Sequence, residues 1–216
     1  MNSNLDSFYN RHAKRWCDAV AGAVLLTATS PVLVACAVAI KLDDGGPVFF
    51  HQRRVGKGGQ PFTVHKLRTM TVGTDQIDGG YPTPTMVTRV GGWVRRLSLD
   101  EIPQLWNITI GEMSFVGPRP TVPNQVARYT ERQFHRLDVR PGLTGLAQIR
   151  FRNAAPWSVR IEADLEYVEN VSLLTDLRVL LGTIPAVLCA SGQSIGQTAA
   201  MIDDDDLGPG PSPDTA

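Results

Sequence analysis

Residues 19–40 form a run of 22 positions without a charged side chain, AVAGAVLLTATSPVLVACAVAI. Folded as an α-helix, this run would be about 30 Å long and would match the hydrocarbon core of a bilayer. It is too long for the apolar region of a cleaved signal peptide. The sequence therefore predicts a membrane-embedded helix near the N-terminus.

Ser30 and Pro31 lie at the centre of this run. Proline removes a backbone hydrogen bond and its ring clashes with the preceding turn, so we expect the helix to be broken or bent at these two residues. Basic residues flank the run on both sides, and the positive-inside rule then places both ends in the cytoplasm. The flanking residues are Arg11, Lys14 and Arg15 on one side and Lys41, Arg53, Arg54, Lys57, Lys66 and Arg68 on the other.

A re-entrant helix, which enters and leaves the membrane by the same face, satisfies both basic flanks. An ordinary transmembrane helix with a proline kink would place one flank on the wrong side of the membrane. A buried core helix is the third alternative. Of the three, the re-entrant helix over residues 19–40 agrees best with the charge pattern.

Composition limits the class of partner. A length of 216 residues is typical of a single domain. Residues 1–200 carry 21 basic and 16 acidic side chains, and 17 of the basic ones are arginines, which suit bidentate contact with phosphate. Phosphate esters and lipid head groups are therefore expected partners, whereas the sequence contains no nucleic-acid recognition motif. The three cysteines form no CxxC pair, which favours a reducing compartment.

Downstream of the apolar run, the pattern predicts a mixed α/β (α+β) fold with a small sheet and several short helices. Residues 47–50 and 61–67 are apolar runs on either side of the glycine-rich VGKGGQ, which indicates a β-hairpin. Residues 71–88 are expected to form a loop, and Thr88–Leu97 a short helix. The glycine-rich turn lacks the GxxxxGK[ST] pattern, so it is not a phosphate loop.

Residues 123–139, PNQVARYTERQFHRLDV, have the pattern of one helix with Arg128, Arg132 and Arg136 on a single face. Such a stripe would lie either on anionic lipid or in solvent.

A second apolar segment occupies residues 172–188, SLLTDLRVLLGTIPAVL, and is interrupted by Pro185. It is expected either to pack in the core or to lie in the membrane interface.

The adjacent acids Asp100 and Glu101 in LSLDEIPQLWN invite several interpretations. Ser98 and Glu101 have the spacing of a capping box. Pro103, however, is tolerated only near a helix start, so the helix is expected to begin at or after Asp100. Otherwise the two carboxylates could be an acid/base pair, a metal site, or a nucleophile beside a metal ligand.

Four segments decide between these interpretations: KLRTM (66–70), RRLSLDEIPQLWN (95–107), GEMSFVGPRP (111–120) and RPGLTGLAQ (140–148). In order and spacing they closely resemble the bacterial sugar transferase family, the monotopic polyprenol-phosphate phosphoglycosyl transferases. The similarity extends from about Lys14 to Thr183 and is closest to the small form of the family, which is reduced to its catalytic core.

The resemblance implies a reaction at the cytoplasmic face of a bacterial cytoplasmic membrane. A UDP-sugar would give its sugar-1-phosphate to a polyprenol phosphate, such as undecaprenyl phosphate, and release UMP through a covalent enzyme intermediate. This would be the first membrane step of glycan assembly. The motifs do not specify the sugar, the glycan or the polyprenol length, and a homo-oligomer is compatible with them.

The resemblance also implies residue roles. Asp100 would be the nucleophile and Glu101 would bind Mg²⁺ at the diphosphate. Five basic residues would contact substrate phosphates: Arg95, Arg119, Arg152, Lys66 and Arg68. For Lys66 and Arg68 an ion pair that fixes the core is an equal alternative, and a surface ion pair is the alternative for each arginine. Phe151 stands before Arg152 where the family commonly has glycine. Asp164 and Tyr167 are expected to serve local structure.

In this interpretation the chain has four parts. Residues 1–18 form a juxtamembrane amphipathic segment, residues 19–40 the re-entrant helix, and residues 41–190 the catalytic domain. Residues 191–216 are small, polar and acidic, which predicts a disordered tail.

Two other functions remain to be distinguished. A conventional glycosyltransferase with an Asp-x-Asp metal motif would use Asp203–Asp205 and release UDP, but these residues lie in the predicted tail. A non-catalytic membrane adaptor or inactive homologue would retain its function after Asp100→Asn.

Overall fold

A computed structural model describes residues 8–73, 86–151 and 155–188. The fold is mixed α/β, with one long apolar N-terminal helix, a β-hairpin, a pair of short parallel strands and several short helices. The predicted fold class is therefore confirmed. Outside the described residues lie Arg152, the predicted tail, and residues 74–85 of the predicted loop.

The elements follow in chain order. The helices are α1 (Lys14–Asp44), α2 (Arg89–Arg96), α3 (Gln104–Ile110), α4 (Pro123–Val126), α5 (Glu131–Phe134), α6 (Leu146–Phe151), α7 (Trp157–Glu169) and α8 (Leu173–Leu188). The strands are β1 (Phe49–Val55), β2 (Pro61–Leu67), β3 (Ser114–Val116) and β4 (Gly142–Thr144). Shorter turns of 3₁₀ helix occupy Lys57–Gly59, Leu99–Glu101 and His135–Leu137, and a π-helical segment, Tyr9–Ala13, precedes α1.

Helix α1 is long and apolar enough to cross a membrane, judged by its 31 residues and a mean hydropathy of 2.2 over an 18-residue window. We expected a break at Ser30–Pro31, but the helical conformation continues through both residues. Pro31 has no N–H to donate to the carbonyl of Thr27, four residues earlier. The Ser30 hydroxyl donates to that carbonyl instead, at 2.7 Å, so the chain supplies a replacement donor within the apolar run.

The predicted hairpin is present, with β1 and β2 antiparallel in the register Phe49↔Leu67 to Val55↔Pro61. The first strand is longer than predicted because it pairs along the whole of β2. Side chains alternate along a strand, so Phe62, Val64 and Lys66 share one face of β2. Phe62 and Val64 are buried in the core against α3, and Lys66 follows them at the end of the same face.

Helix α2 confirms the predicted helix after Thr88, whose hydroxyl accepts a hydrogen bond from the N–H of Gly91 at 2.9 Å. The next α-helix, α3, begins after Asp100, as expected. Asp100 and Glu101 lie just before it, in the 3₁₀ turn that follows Ser98. Ser98 has a φ of 55° and makes no side-chain cap, so the capping-box interpretation does not hold.

Residues 123–139 do not form the single helix that we predicted. Thr130 and Gln133 form a capping box that starts α5 within this segment, separating it from α4. Arg136 lies in the following 3₁₀ turn and is 2% exposed, while Arg132 pairs with Glu162. The prediction of one continuous basic face is therefore wrong.

A buried polar network joins the two ends of the described chain. The carboxylate of Asp176 in α8 accepts hydrogen bonds from Lys14 at the start of α1, from Tyr9 and from Tyr167 in α7. Tyr167 is 1% exposed, and its hydroxyl oxygen also lies 3.1 Å from the carbonyl oxygen of Val116 in β3. This network fixes α1 to the core that α7, α8 and β3 share, and Tyr167 serves local structure as expected.

Helix α8, which covers most of residues 172–188, packs against the core as one of the two expectations had it. Val179 is buried in the core cluster with Val116 and Tyr167. Six large apolar side chains of α8 are exposed: Leu173, Leu174, Leu177, Leu180, Leu181 and Ile184. Helix α8 thus packs one side against the core and exposes apolar side chains elsewhere.

Two adjacent glycines of α2 provide a test of the packing. A Cβ on Gly91 would lie 2.1 Å from the carbonyl oxygen of Thr69, whereas a Cβ on Gly92 would have no neighbour within 4 Å. We expect Gly91→Ala to destabilise the protein by about 1–3 kcal/mol, because the backbone must move. Gly92→Ala, the matched control, should stabilise it by up to about 1 kcal/mol through helix propensity. Thermal unfolding in detergent compares them, and equal melting temperatures would contradict this packing.

Candidate active site

Glu101 is held at the meeting point of three segments. Lys66, at the end of β2, donates to Glu101 Oε1 at 2.9 Å, and Arg119, after β3, donates to the same oxygen at 3.1 Å. Burial by itself would raise the pKa of Glu101, but attraction from Lys66 and then Arg119 outweighs it and lowers the pKa to about 2. Glu101 is therefore ionised at every physiological pH.

Asp100 has a different environment. Burial and then repulsion by Glu101 raise its pKa, while attraction from Lys66 and Arg95 opposes the rise. Arg95 is oriented by a 2.7 Å hydrogen bond from its Nε to the hydroxyl of Thr69. Two adjacent carboxylates thus have pKa values shifted in opposite directions, a pattern typical of sites in which paired acids have separate roles.

The contacts of Glu101 leave room for a metal ion. Both cations bind Oε1, and among the described residues no donor reaches Oε2. No group of three or more His, Cys, Asp or Glu side chains in the described ranges has metal-binding geometry. This donor set fits Mg²⁺, which proteins often bind through one or two carboxylates together with substrate phosphates. It does not fit a metal that needs a complete cage of protein ligands.

Arg68 makes protein contacts away from Glu101. Its guanidinium pairs with both oxygens of Asp44 and also donates to the carbonyls of Pro47 and Met70. The hydrogen bond from Arg68 holds the pKa of Asp44 at about 2. These contacts match the alternative in which Arg68 fixes the fold, here at the C-terminal end of α1. Phosphate binding by Arg68 stays a prediction.

Asn107 is a positioning residue that sequence reasoning missed. It is completely buried in α3, and its amide donates to the Thr63 carbonyl and to Glu112, both at 2.7 Å. Its oxygen accepts from the N–H of His65 at 3.3 Å. Asn107 thereby fixes α3 against β2, the strand that carries Lys66. It stands within the LSLDEIPQLWN segment, but only its contacts reveal the role.

Two other arginines hold the backbone at Arg119 and the residue after it. Arg136 donates to the carbonyl of Arg119 at 2.7 Å and forms a buried ion pair with Asp164, also at 2.7 Å. Arg54 donates to the carbonyl of Pro120 at 3.0 Å. Asp164 thus serves local structure, as expected. The roles of Arg54 and Arg136 have no local sequence signal, because their partners are far away in the chain.

The structure therefore gathers Asp100, Glu101, Lys66, Arg95 and Arg119 around one turn. Two other residues were predicted for the site. Arg68, which follows β2, pairs with Asp44 at the end of α1, and Arg152 is outside the described residues. The combined charge of the gathered group favours an anionic ligand, and the exposed position of Arg119, with 42% of its side chain accessible, leaves the site open.

The sequence of this chain is similar to those of known proteins. The model of the bacterial sugar transferase family matches residues 9–190. The uncharacterized sugar transferase EpsL of Bacillus subtilis is 42% identical over 179 residues, covering 83% of this chain and 89% of that protein. The exopolysaccharide production protein ExoY of Rhizobium meliloti is 40% identical over 197 residues, covering 83% and 87%.

A relative with a more specific name is the UDP-glucose:undecaprenyl-phosphate glucose-1-phosphate transferase of Caulobacter vibrioides. It is 43% identical over 185 residues, which cover 81% of this chain and 69% of that protein. The resemblance predicted from the four motifs is confirmed. By the extent of the family match and by these identities, the chain belongs to the bacterial sugar transferase family.

Proposed function

We propose that this chain transfers a sugar-1-phosphate from a UDP-sugar to a polyprenol phosphate, with a covalent intermediate on Asp100. The observation that carries the proposal is the pair Asp100–Glu101 in one turn, faced by Lys66, Arg95 and Arg119. The relatives named as UDP-glucose:undecaprenyl-phosphate glucose-1-phosphate transferases support the substrate classes.

The first step forms one bond and breaks one. An oxygen of the Asp100 carboxylate attacks the sugar-linked phosphorus of the UDP-sugar, and the bond from that phosphorus to the bridging oxygen breaks. UMP leaves with the electron pair. In the second step an oxygen of the polyprenol phosphate attacks the same phosphorus and displaces Asp100. The products are UMP and a polyprenol diphosphate sugar, the class of lipid that glycosyltransferases extend.

The positive charges around Asp100 offset the electrostatic repulsion between this carboxylate and the diphosphate of the substrate. A carboxylate that approaches a diphosphate meets like-charge repulsion, and the departing UMP gains negative charge. Lys66, Arg95 and Arg119 supply positive charge at this point. Glu101 would hold Mg²⁺ through its available Oε2, and this cation would neutralise diphosphate charge when bound. A pKa of about 2 keeps Glu101 in the ionised form that metal binding requires.

The contacts of α1 support a re-entrant topology. Near its start, Arg15 donates to the Thr109 carbonyl in α3 at 2.8 Å. At its end, Asp43 accepts from the N–H of Val90 in α2 at 3.0 Å, and Asp44 pairs with Arg68. Both ends are thus held by one polar domain, which cannot extend through hydrocarbon. We propose that both ends lie at the cytoplasmic face of a bacterial cytoplasmic membrane.

The exposed aromatic residues agree with that placement. Trp16 at the start of α1, Trp93 in α2 and Trp106 in α3 are all more than half exposed. Tryptophan is enriched at membrane interfaces, where its ring contacts lipid and its N–H contacts water. An interfacial site would suit a reaction that joins a water-soluble nucleotide sugar to a lipid.

The nature of the released nucleotide tests the reaction class. Purified protein in nanodiscs with Mg²⁺, undecaprenyl phosphate and a panel of UDP-sugars should release UMP with at least one sugar, because the attack is on phosphorus. Asp100→Asn should reduce the rate by at least about 10⁴-fold, because loss of the nucleophile in another enzyme costs about 10⁶-fold. Asp138→Asn, at an exposed carboxylate that contacts His135, is the matched control and should be fully active. Release of UDP, or an unchanged rate in Asp100→Asn, would contradict the proposal.

Metal dependence tests the role of Glu101. We expect EDTA to abolish transfer and Mg²⁺ to restore it, because one protein carboxylate and the substrate share the ion. Glu101→Gln should shift the Mg²⁺ activation curve to concentrations at least about 10-fold higher. Glu162→Gln, which removes an exposed carboxylate paired with Arg132, should leave the curve in place. A full rate in EDTA would disprove the metal assignment while leaving Asp100 as the nucleophile.

Cysteine labelling tests the topology. Cys17 is exposed near the start of α1, and Leu42 is 82% exposed near its end. In a background of Cys36→Ser and Cys189→Ser, one protein retains Cys17 and another carries Cys17→Ser with Leu42→Cys. A membrane-impermeant maleimide should label both proteins in inside-out vesicles and neither in intact cells. Labelling of either position in intact cells would exclude the re-entrant arrangement.

A further inference from the structure

Four arginines lie in a cluster beside Glu101: Arg54, Arg119, Arg136 and Arg160. The nearby carboxylates neutralise only part of their positive charge. Glu101 is shared between Lys66 and Arg119, and Asp164 is bound by Arg136. Two further members of the cluster, Arg54 and Arg160, form no ion pair with a carboxylate among the described residues.

Arg160 is the more unusual of the two. It lies in α7, is 6% exposed, and its Nε has no hydrogen-bond partner in the described part of the chain. Its guanidinium is stacked at 4.9 Å from the ring centre of Trp157, one turn earlier in α7. A buried guanidinium N–H without an acceptor is costly, since it loses its hydration without a replacement.

The nearby acid Asp164 does not supply that acceptor. Its Oδ2 binds Arg136, and its Oδ1 has no partner among the described residues. Arg160 and Asp164 therefore attract each other electrostatically without a hydrogen bond between them. Stacking on Trp157 instead holds the guanidinium of Arg160 in place.

Arg54 approaches the same place from β1. Its guanidinium binds neutral oxygens, the side-chain oxygen of Gln52 and the carbonyl of Pro120. Burial and then repulsion by Arg119 lower the pKa of both Arg54 and Arg160 to about 10. Contacts place both near Arg119: Arg54 donates to the carbonyl of the next residue, Pro120, and Arg160 stacks on the same Trp157 ring as Arg136, which donates to the carbonyl of Arg119.

We propose that Arg54, Arg119 and Arg160 form a binding site for a phosphate ester next to Glu101. The two cations that lack a carboxylate match the charge of a phosphate monoester dianion. Since guanidinium groups bind phosphate in a bidentate manner, the site would satisfy the buried donor of Arg160 and relieve the repulsion around Arg119. This inference rests on the proposed function, because it assigns a substrate phosphate to this position.

Equilibrium binding tests the site without depending on transfer. All proteins carry Asp100→Asn, so no reaction takes place, and the probes are UMP and undecaprenyl phosphate added to the full chain in nanodiscs. Arg160→Gln and Arg54→Gln should each weaken binding of one probe by about 10- to 100-fold. Arg160→Lys should recover part of the affinity because it retains the charge. Arg132→Gln, which removes an exposed arginine that is paired with Glu162, is the control and should bind as the parent does.

The two probes identify the source of the phosphate. Weaker binding of UMP alone would assign the site to the nucleotide donor, and weaker binding of undecaprenyl phosphate alone would assign it to the lipid acceptor. Unchanged affinity for both probes in Arg160→Gln and Arg54→Gln, with folding confirmed by thermal unfolding, would overturn the proposal. That result would leave the UMP-release assay unaffected, so the two proposals fail separately.

Discussion

Glu101 accepts hydrogen bonds from Lys66 and Arg119 through one carboxylate oxygen, and this shared contact joins three segments that are distant in the chain. Lys66 comes from the hairpin, Arg119 from the segment after β3, and Glu101 from the turn before α3. Because the two cations keep Glu101 ionised and partly shielded, Asp100 can lie directly beside it in the chain. The proposed separation of roles between the two acids depends on this arrangement.

The surrounding fold maintains that contact from two sides. Asn107 fixes α3 to β2, which sets the distance from Glu101 to Lys66. The buried pair of Arg136 and Asp164 fixes the backbone at Arg119. Breaking a buried ion pair by removing one partner usually costs several kcal/mol, so this support is expected to be sensitive to substitution. Arg119, which that pair supports through its backbone, keeps 42% of its side chain accessible.

Local signals in the sequence predicted local structure well. The short helix over Thr88–Leu97, the glycine-rich hairpin turn and the helix start near Pro103 depend on neighbouring residues, and the predicted elements are present. The helix predicted over residues 123–139 failed because the Thr130 capping box outweighed the apolar periodicity. Long-range partners were not predictable in this way. Arg136 and Asp164 are 28 residues apart, and no periodic pattern connects them.

The most direct test of the account is the mass of the intact protein after incubation with Mg²⁺ and its UDP-sugar in the absence of polyprenol phosphate. The account predicts a covalent adduct equal to one sugar-phosphate group, mapped by peptide analysis to Asp100 and lost when polyprenol phosphate is added. Transfer to polyprenol phosphate without any protein adduct, or an adduct on a different residue, would contradict the assignment of Asp100 as the nucleophile.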